Sequence, residues 1–285
     1  TGSKDHNIAL RTYAEKRGFS ISEHGIRRLR QKSQITSPKS QTKSKSQIIK
    51  CSNEEKVYNT LGMDYVEPEL RENRGEIEAA LKHSLPKLVT LNDIKGDLQM
   101  HSNYSDGQNT IEEMAKKCKS LGYTYMAITD HPSTLGITQG LKEKDINKYI
   151  SEIKRISRKV GIHIFSGIEA NIKPNGDIDV AESILKKLDL VLGAIHSSFR
   201  QDKDIVTARL IKAIENPYVK IIAHPTGRIL NRRPGVNANW NKVFQACEKT
   251  NTVLEINSYP DRLDLNDIMV REAIKRGVGI IINTD

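Results

Sequence analysis

Tyr125-Met126-Ala127-Ile128-Thr129-Asp130-His131 decides the fold: an apolar run of strand length that ends at once on a side chain able to ligate a metal. The same grammar recurs along residues 95–285. Apolar runs close on His101, His131, Glu169, His196, His224, Asn257 and Asp285, seven times in all. Continuous apolar runs of this kind read as strands buried on both faces, as in parallel sheets. Parallel strands joined by helices deliver all their C-terminal ends to one rim, so residues scattered over the chain converge there.

The expected strands are 96–100, 125–129, 162–168, 188–195, 219–223, 252–256 and 278–282. Helix patterns lie between them. Thr110 and Glu113 form a capping box for a helix carrying Ile111, Met114, Cys118 and Leu121, with Gly122 as its stop. Ile146, Ile150, Ile153 and Ile156 repeat at helical spacing, and another helix is expected over 205–215, before Pro217. Strand and helix alternating seven times predict an α/β architecture, a parallel barrel or an open sheet, and seven units favour the barrel.

The remainder reads as a smaller unit. Ser3 is an N-cap for a helix over 4–17 with Ile8, Leu10 and Ala14 on one face and Gly18 as the stop. Helices are expected over 54–61 and, after Pro68, over 69–80, giving a small helical or α/β unit. Between them, residues 31–50 are rich in Ser, Lys, Gln and Thr, and too poor in apolar residues to order themselves; they read as a flexible basic loop. A merely solvated linker is the other reading of that composition.

Charge is distributed unevenly. The net +10 is concentrated in residues 1–50, which hold 12 Lys/Arg against 3 Asp/Glu, and the remaining 235 residues carry only +1. A polyanion is the partner such a segment suits. Three cysteines, Cys51, Cys118 and Cys247, are too few and too far apart for a disulfide framework. No run approaches the length of a membrane span and no leader is present, so a soluble, cytoplasmic protein without a membrane partner is expected. Thr1 in place of Met, and an apolar strand closing on Asp285, read as a piece of a longer chain.

Four of the eight histidines, His101, His131, His196 and His224, close apolar strands. His6, His24, His83 and His163 fit no such pattern and read as surface or packing residues. Imidazoles mixed with the carboxylates Glu169, Asp106 and Asp285 suit Zn, Mn or Fe(II). The donors exceed one tetrahedral site, so a cluster of two or three ions is expected, with Glu169 as a bridge. Such clusters activate water and neutralise both oxygens of an in-line displacement at phosphorus, which points to phosphoester hydrolysis. Arg228, Arg232 and Arg233 in a loop bounded by Gly and Pro, with Asn257 and Arg262, are candidates for holding a phosphate, or an ordinary exposed basic surface. Ser197 reads as a phosphate contact or as a strand-end residue bonded to backbone. Asp106 before Gly107 equally suits a turn, and Asp130 suits orienting a neighbouring histidine or capping a helix.

Gly96-Asp97-Leu98-Gln99-Met100-His101-Ser102, Ser105-Asp106-Gly107, Thr129-Asp130-His131, Gly167-Ile168-Glu169, Ile195-His196-Ser197 and Ala223-His224-Pro225 resemble, in order and spacing, the successive motifs of the PHP (polymerase and histidinol phosphatase) domain. Pro68-Glu69-Leu70-Arg71-Glu72-Asn73-Arg74-Gly75-Glu76 and His224-Pro225-Thr226-Gly227-Arg228 resemble more narrowly the PHP domain behind bacterial and archaeal family X DNA polymerases, and residues 1–28 look like the end of that polymerase's thumb. The resemblance implies thumb in 1–30 and 51–66, a linker over 67–94 and a PHP domain over 95–285 folded as a distorted seven-stranded (β/α)7 barrel. It implies a metal centre, usually Mn-activated with Zn as the alternative, ligated by His101, Asp106, His131, Glu169, His196, His224 and Asp285, of which His131, Glu169 and His196 are taken as catalytic. The activity implied is 3′ to 5′ exonuclease and 3′-end phosphoesterase work on DNA, beside an upstream polymerase domain of the parent chain. Asn7 and Arg11 are placed where the thumb touches DNA. Two positions depart from the pattern: Gln99, whose amide oxygen is a weaker and neutral metal ligand, stands where the family has the first His of His-x-His, and the family's last His lies two residues beyond Asp285. A histidinol phosphatase-type enzyme and a catalytically silent DNA-binding scaffold are the other functions compatible with these residues.

Overall fold

The computed structural model describes residues 2–22, 25–29, 48–135 and 140–285, and the chain divides into two compact units, Thr1–Val89 and Thr90–Asp285. His24 and most of the expected basic loop, 31–47, lie outside the described residues.

In the first unit, helix α1 (Lys4–Lys16) starts where Ser3 accepts a hydrogen bond from His6 N at 3.1 Å. Strands β1 (Phe19–Ser22), β2 (Gly25–Arg28) and β3 (Ile48–Ile49) form a small antiparallel sheet, so the end of the segment read as a basic loop is a strand. Helix α2 (Glu54–Thr60) is capped by Asn53, and helix α3 spans Glu76–Leu81. Leu10, Ala14, Ile26, Tyr58, Leu61, Met63, Val66, Ile77 and Ala80 form the core. The continuous helix expected over 69–80 is absent. Pro68–Leu70 makes one 3₁₀ turn, Asn73 and Gly75 take φ of 54° and 100°, and the helix begins only at Glu76. The reason is the Glu76 carboxylate, which reaches back to accept from Asn73 N at 2.8 Å and Arg74 N at 2.6 Å while meeting the buried His6 Nδ1 at 2.6 Å. Those bonds require the chain before Glu76 to curl around it.

The second unit is a barrel. Strands β4 (Gly96–Asp97), β5 (Tyr125–Ile128), β6 (His163–Asn171), β7 (Leu190–Ala194), β8 (Val219–Ile222), β9 (Val253–Asn257) and β10 (Ile280–Asn283) are parallel, each beside its sequence neighbour. Helices α4 (Ile111–Ser120), α5 (Ile146–Val160), α6 (Glu182–Leu185), α7 (Lys203–Ile214), α8 (Trp240–Thr250) and α9 (Asp267–Lys275) make the crossovers. The capping box of Thr110 and Glu113 opens α4, and α5 buries Ile146, Tyr149, Ile153 and Ile156, each worth about 1.5–3 kcal/mol. A short β4 leaves the ring almost closed, and side chains complete it. Asn283 Oδ1 accepts from Leu98 N at 2.9 Å, Asp97 Oδ2 from Thr284 N at 3.1 Å, and Gln99 O from Asp285 N at 3.1 Å.

A candidate metal centre

Glu169 is the hub of the rim. It lies inside β6, which continues to Asn171, three residues past the expected strand end. Its Oε1 is 2.8 Å from His224 Nε2 and 3.1 Å from His196 Nε2, while Oε2 is 3.1 Å from His101 Nε2 and 3.8 Å from His131 Nε2. His101 follows β4, His131 follows β5, His196 follows β7 and His224 follows β8. Asp285, just past β10, places Oδ1 3.3 Å from His101 Nε2, and Asp106 lies 3.7 Å from His101 and 3.8 Å from His131. Gly107 lets the Asp106 turn press against the β4 end, because a Cβ there would collide with the main-chain oxygen of His101. Every proposed ligand therefore sits at one mouth, and Gln99 beside them donates to Asp285 Oδ1 at 3.1 Å.

Among the described residues three donor sets emerge: His101–Asp106–His131, His131–Glu169–His196 and His101–Glu169–Asp285, each with its donor atoms within 4.8 Å of one another. The left-handed φ of His224 (29°) and Asp285 (68°) costs about 1–3 kcal/mol at each residue. Bonds from His224 N to Glu255 Oε2 at 2.6 Å and from Asp285 N to Gln99 O offset it.

Protonation follows the same contacts. Burial alone would depress His101 and His224; hydrogen bonds to Asp285 and Glu169 for the first, and to Glu169 for the second, outweigh it, leaving His101 well above the ordinary imidazole range and His224 above it. Burial would raise Glu169, yet His101, His196 and His224 hold its carboxyl well below the usual range. His131 is lowered, first by burial and then by His101 and His196.

Whether cations fit is decided by what the side chains leave unsatisfied. Nδ1 of His101, His131, His196 and His224 and Gln99 Oε1 are all buried without a hydrogen-bond partner among the described residues, and Glu169 Oε2 meets only His101 Nε2 within 3.5 Å. Buried polar atoms are ordinarily paired, and five unpaired ones around one mouth form a concentrated deficit. Imidazole and carboxylate donors in overlapping sets are what Mn, Zn or Fe(II) accept, so the residues fit such ions.

The arginines separate. Arg262 Nε meets Asp285 Oδ2 at 3.2 Å and lines the cleft of about 670 Å³ above the cluster. Arg228 instead donates to the main-chain oxygens of Arg262 and Leu263, and Arg233 donates to Gly227 O at 2.9 Å and lies 3.7 Å over the Phe199 ring. Arg232 is exposed on their loop. Asn257 donates to Asp285 Oδ2 at 2.9 Å, orienting a proposed ligand. Asp130 accepts from Ser102 N, Ser102 Oγ and Ser105 Oγ, tying down the loop that carries Asp106, and among the described residues no hydrogen bond joins it to a histidine. Ser197 accepts from Arg209 Nη1 through its main-chain oxygen. Asn7 donates to Ser3 O at 2.9 Å and, with Arg11, lines a cleft in the first unit. Sequence reasoning missed Glu255 and the half-exposed Tyr259 ring at the cleft mouth. Tyr259 was within reach, two residues after the strand-closing Asn257.

Residues 97–259 match the PHP domain model. The chain belongs to the PHP family. Residues 1–72 match the DNA polymerase beta thumb, so a thumb precedes the PHP domain. The chain is 39% identical to the DNA polymerase/3'-5' exonuclease PolX of Bacillus subtilis (strain 168), a family X polymerase, over 100% of itself and 47% of that protein. It is 30% identical to a probable phosphatase of Acetivibrio thermocellus (62% of this chain, 72% of the relative) and 34% identical to one of Caldanaerobacter subterraneus (53% and 56%). The chain thus spans about half the length of the PolX relative. PHP domains are metal-dependent, and this member is a PolX-type PHP module with groups of His, Asp and Glu that could hold a metal ion. Among the described residues no helix is long and apolar enough to cross a membrane.

Proposed function

We propose that this chain is a metal-dependent 3′ to 5′ exonuclease and 3′-end phosphoesterase acting on DNA, working beside a polymerase domain of its parent in DNA repair. The observation that carries the reading is the cluster around Glu169, where four histidines meet one buried carboxylate and five further buried polar atoms have no partner among the described residues. Two or three ions held there, Mn in preference to Zn, supply activated water and neutralise charge building on a phosphate. The chain's own groups do the rest. His131, held neutral by burial, offers a lone pair without a proton to displace. The Arg262 guanidinium at the mouth is in reach of a phosphate entering the cleft, and the half-exposed Tyr259 ring beside it offers a face for a terminal base. Arg228 and Arg233 support that mouth by bracing backbone, and Arg232 adds charge outside it. Asn7 and Arg11 of the thumb supply a second contact to the duplex, in keeping with the basic first 50 residues.

A 5′-labelled oligonucleotide incubated with the chain and Mn²⁺ should shorten stepwise from its 3′ end, and His131→Ala or Glu169→Ala should abolish this. Undiminished shortening in both variants would refute the assignment. The relatives called probable phosphatases favour a second reading, a small-molecule phosphatase. A faster rate on histidinol phosphate than on the oligonucleotide would select it, and DNA binding without any hydrolysis would select a silent scaffold.

A further inference from the structure

The turn that follows β9, residues 257–263, carries more than a metal centre requires. Asn257 Nδ2 and Arg262 Nε both reach Asp285 Oδ2, at 2.9 Å and 3.2 Å, so the turn grips one carboxylate from two places. Between them the main chain is fixed. Tyr259 N donates to Asn257 Oδ1 at 3.1 Å, and Tyr259 O accepts from Arg262 N at 2.8 Å and Leu263 N at 3.1 Å. A second loop braces the turn, with Leu230 N donating to Asp261 O at 2.6 Å and Arg228 Nε to Arg262 O at 2.8 Å. On this support Tyr259 is 51% exposed, and Leu230 and Leu263 are exposed on the same two loops. Single exposed apolar side chains are ordinary, but three on two loops bonded together, next to a cluster of charged groups, make a built apolar rim. Tyr259 and Arg262 line the cleft itself, whose volume of about 670 Å³ exceeds the needs of a bare phosphate and falls in the range of sites for organic ligands.

We propose that the Tyr259 ring is a nucleobase platform: it stacks on the base of the nucleotide whose phosphate enters the cluster, so that the cleft selects nucleotide esters over phosphoesters that carry no base. The inference rests on the nuclease reading above and names what that site recognises besides phosphate. Every base has a π face, so a stacking ring adds affinity for all four without reading sequence. The Arg262 guanidinium spends its Nε on Asp285 and turns the remainder of its planar fork to the cleft, a geometry that suits phosphate oxygens. Ring and guanidinium stand three residues apart on one fixed turn, so base and phosphate are recognised together. A sugar phosphate would meet the arginine and leave the ring idle.

The test uses the full 285-residue chain with Mn²⁺ and two oligonucleotides that differ only in the last 3′ residue, one bearing a base and one an abasic tetrahydrofuran. The wild type should show a KM about tenfold or more lower on the end with a base, the size of effect that removing one base–aromatic stack produces. Tyr259→Ala should collapse that preference through KM rather than kcat, and Tyr259→Phe, which keeps the ring, should retain it. If Tyr259→Ala does not fold, Tyr259→Leu, apolar but without a π face, takes its place. A second readout needs no turnover: 2-aminopurine as the 3′-terminal base, behind a phosphorothioate linkage that slows cleavage, should be quenched on binding the wild type and not the alanine variant. Equal KM values on the two ends in the wild type, or a preference that survives in Tyr259→Ala, would overturn the platform. Hydrolysis of both ends alike without quenching would sink the platform and leave the nuclease reading standing. Quenching that depends on Tyr259, in a chain that hydrolyses neither end, would sink the nuclease reading and leave the platform.

Discussion

Replacing Glu169 by Ala removes a donor from two of the three metal sets at once. His131–Glu169–His196 and His101–Glu169–Asp285 each fall to two donors, while His101–Asp106–His131 is untouched. Losing a ligand should weaken each affected position by at least about 10–100-fold, or roughly 1.4–2.7 kcal/mol apiece. The expected outcome is a chain that keeps one tightly bound ion after desalting and holds the others only at high metal concentration. Asp106→Ala is the matched control, because it depletes one set and spares both that use Glu169. His163→Ala is the blank: the residue is exposed at the start of the same strand, at the opposite end from the mouth. Elemental analysis after desalting, joined to calorimetric titration with Mn²⁺, reads all three. If Glu169→Ala retains the wild-type number of ions at wild-type affinity, or loses no more than Asp106→Ala, Glu169 is not shared and the geometry has been misread.

Metal binding should release protons at pH 7, because His101 and His224 are raised above the ordinary imidazole range in the metal-free chain and must give up a proton to donate a lone pair. Affinity should therefore fall as pH falls, and the calorimetric heat should vary with the ionisation enthalpy of the buffer; no variation would contradict the protonated network. Among the cysteines, half-buried Cys51 should be alkylated at pH 8 in the folded chain, whereas Cys118 and Cys247, pushed by burial to about 11 and about 12, should react only on unfolding, as mass spectrometry of labelled peptides would show. Glu76→Gln should destabilise the first unit by about 1–3 kcal/mol. Burial would raise the Glu76 carboxyl, but hydrogen bonds from His6 and from main-chain N–H groups hold it below its ordinary range. Its contribution is thus present above that range and lost as pH falls through the lowered value, so the wild-type urea midpoint should drop in acid toward that of the variant. A constant difference at all pH values would exclude Glu76 as the titrating group.

What could be read from the sequence was local. The seven strands, the capping box at Thr110 and the stripe on α5 each declare themselves within about fifteen residues, through periodicity or a single polar switch. The antiparallel sheet of the first unit did not, since its strands span four residues or fewer and are mostly half-buried, which leaves little alternation to detect. The break before α3 was hidden because Glu76 reads as an ordinary helix former. Only its partner His6, 70 residues away, explains why it is buried.

The rim divides in the same way, and the division has a physical cause. A ligand type at a strand end is visible in sequence because parallel winding fixes where that end must go. What each basic side chain finds on arrival is not, since it depends on unpaired carbonyls in another loop. Arg228 and Arg262 lie 34 residues apart and are chemically alike, yet one is consumed bracing the other's backbone while the other turns to Asp285. The closure of the barrel follows the same rule. Asp97 and Thr284, and Leu98 and Asn283, are joined across more than 180 residues by side-chain bonds that replace a missing β-ladder. Those bonds also hold Gln99 and Asp285 against each other at the mouth, so the weak seam of the ring and one corner of the candidate metal centre are the same structure. A substitution at Asn283 or Asp97, neither of which is a proposed ligand, should therefore disturb the position of Asp285 as surely as one in the cluster itself.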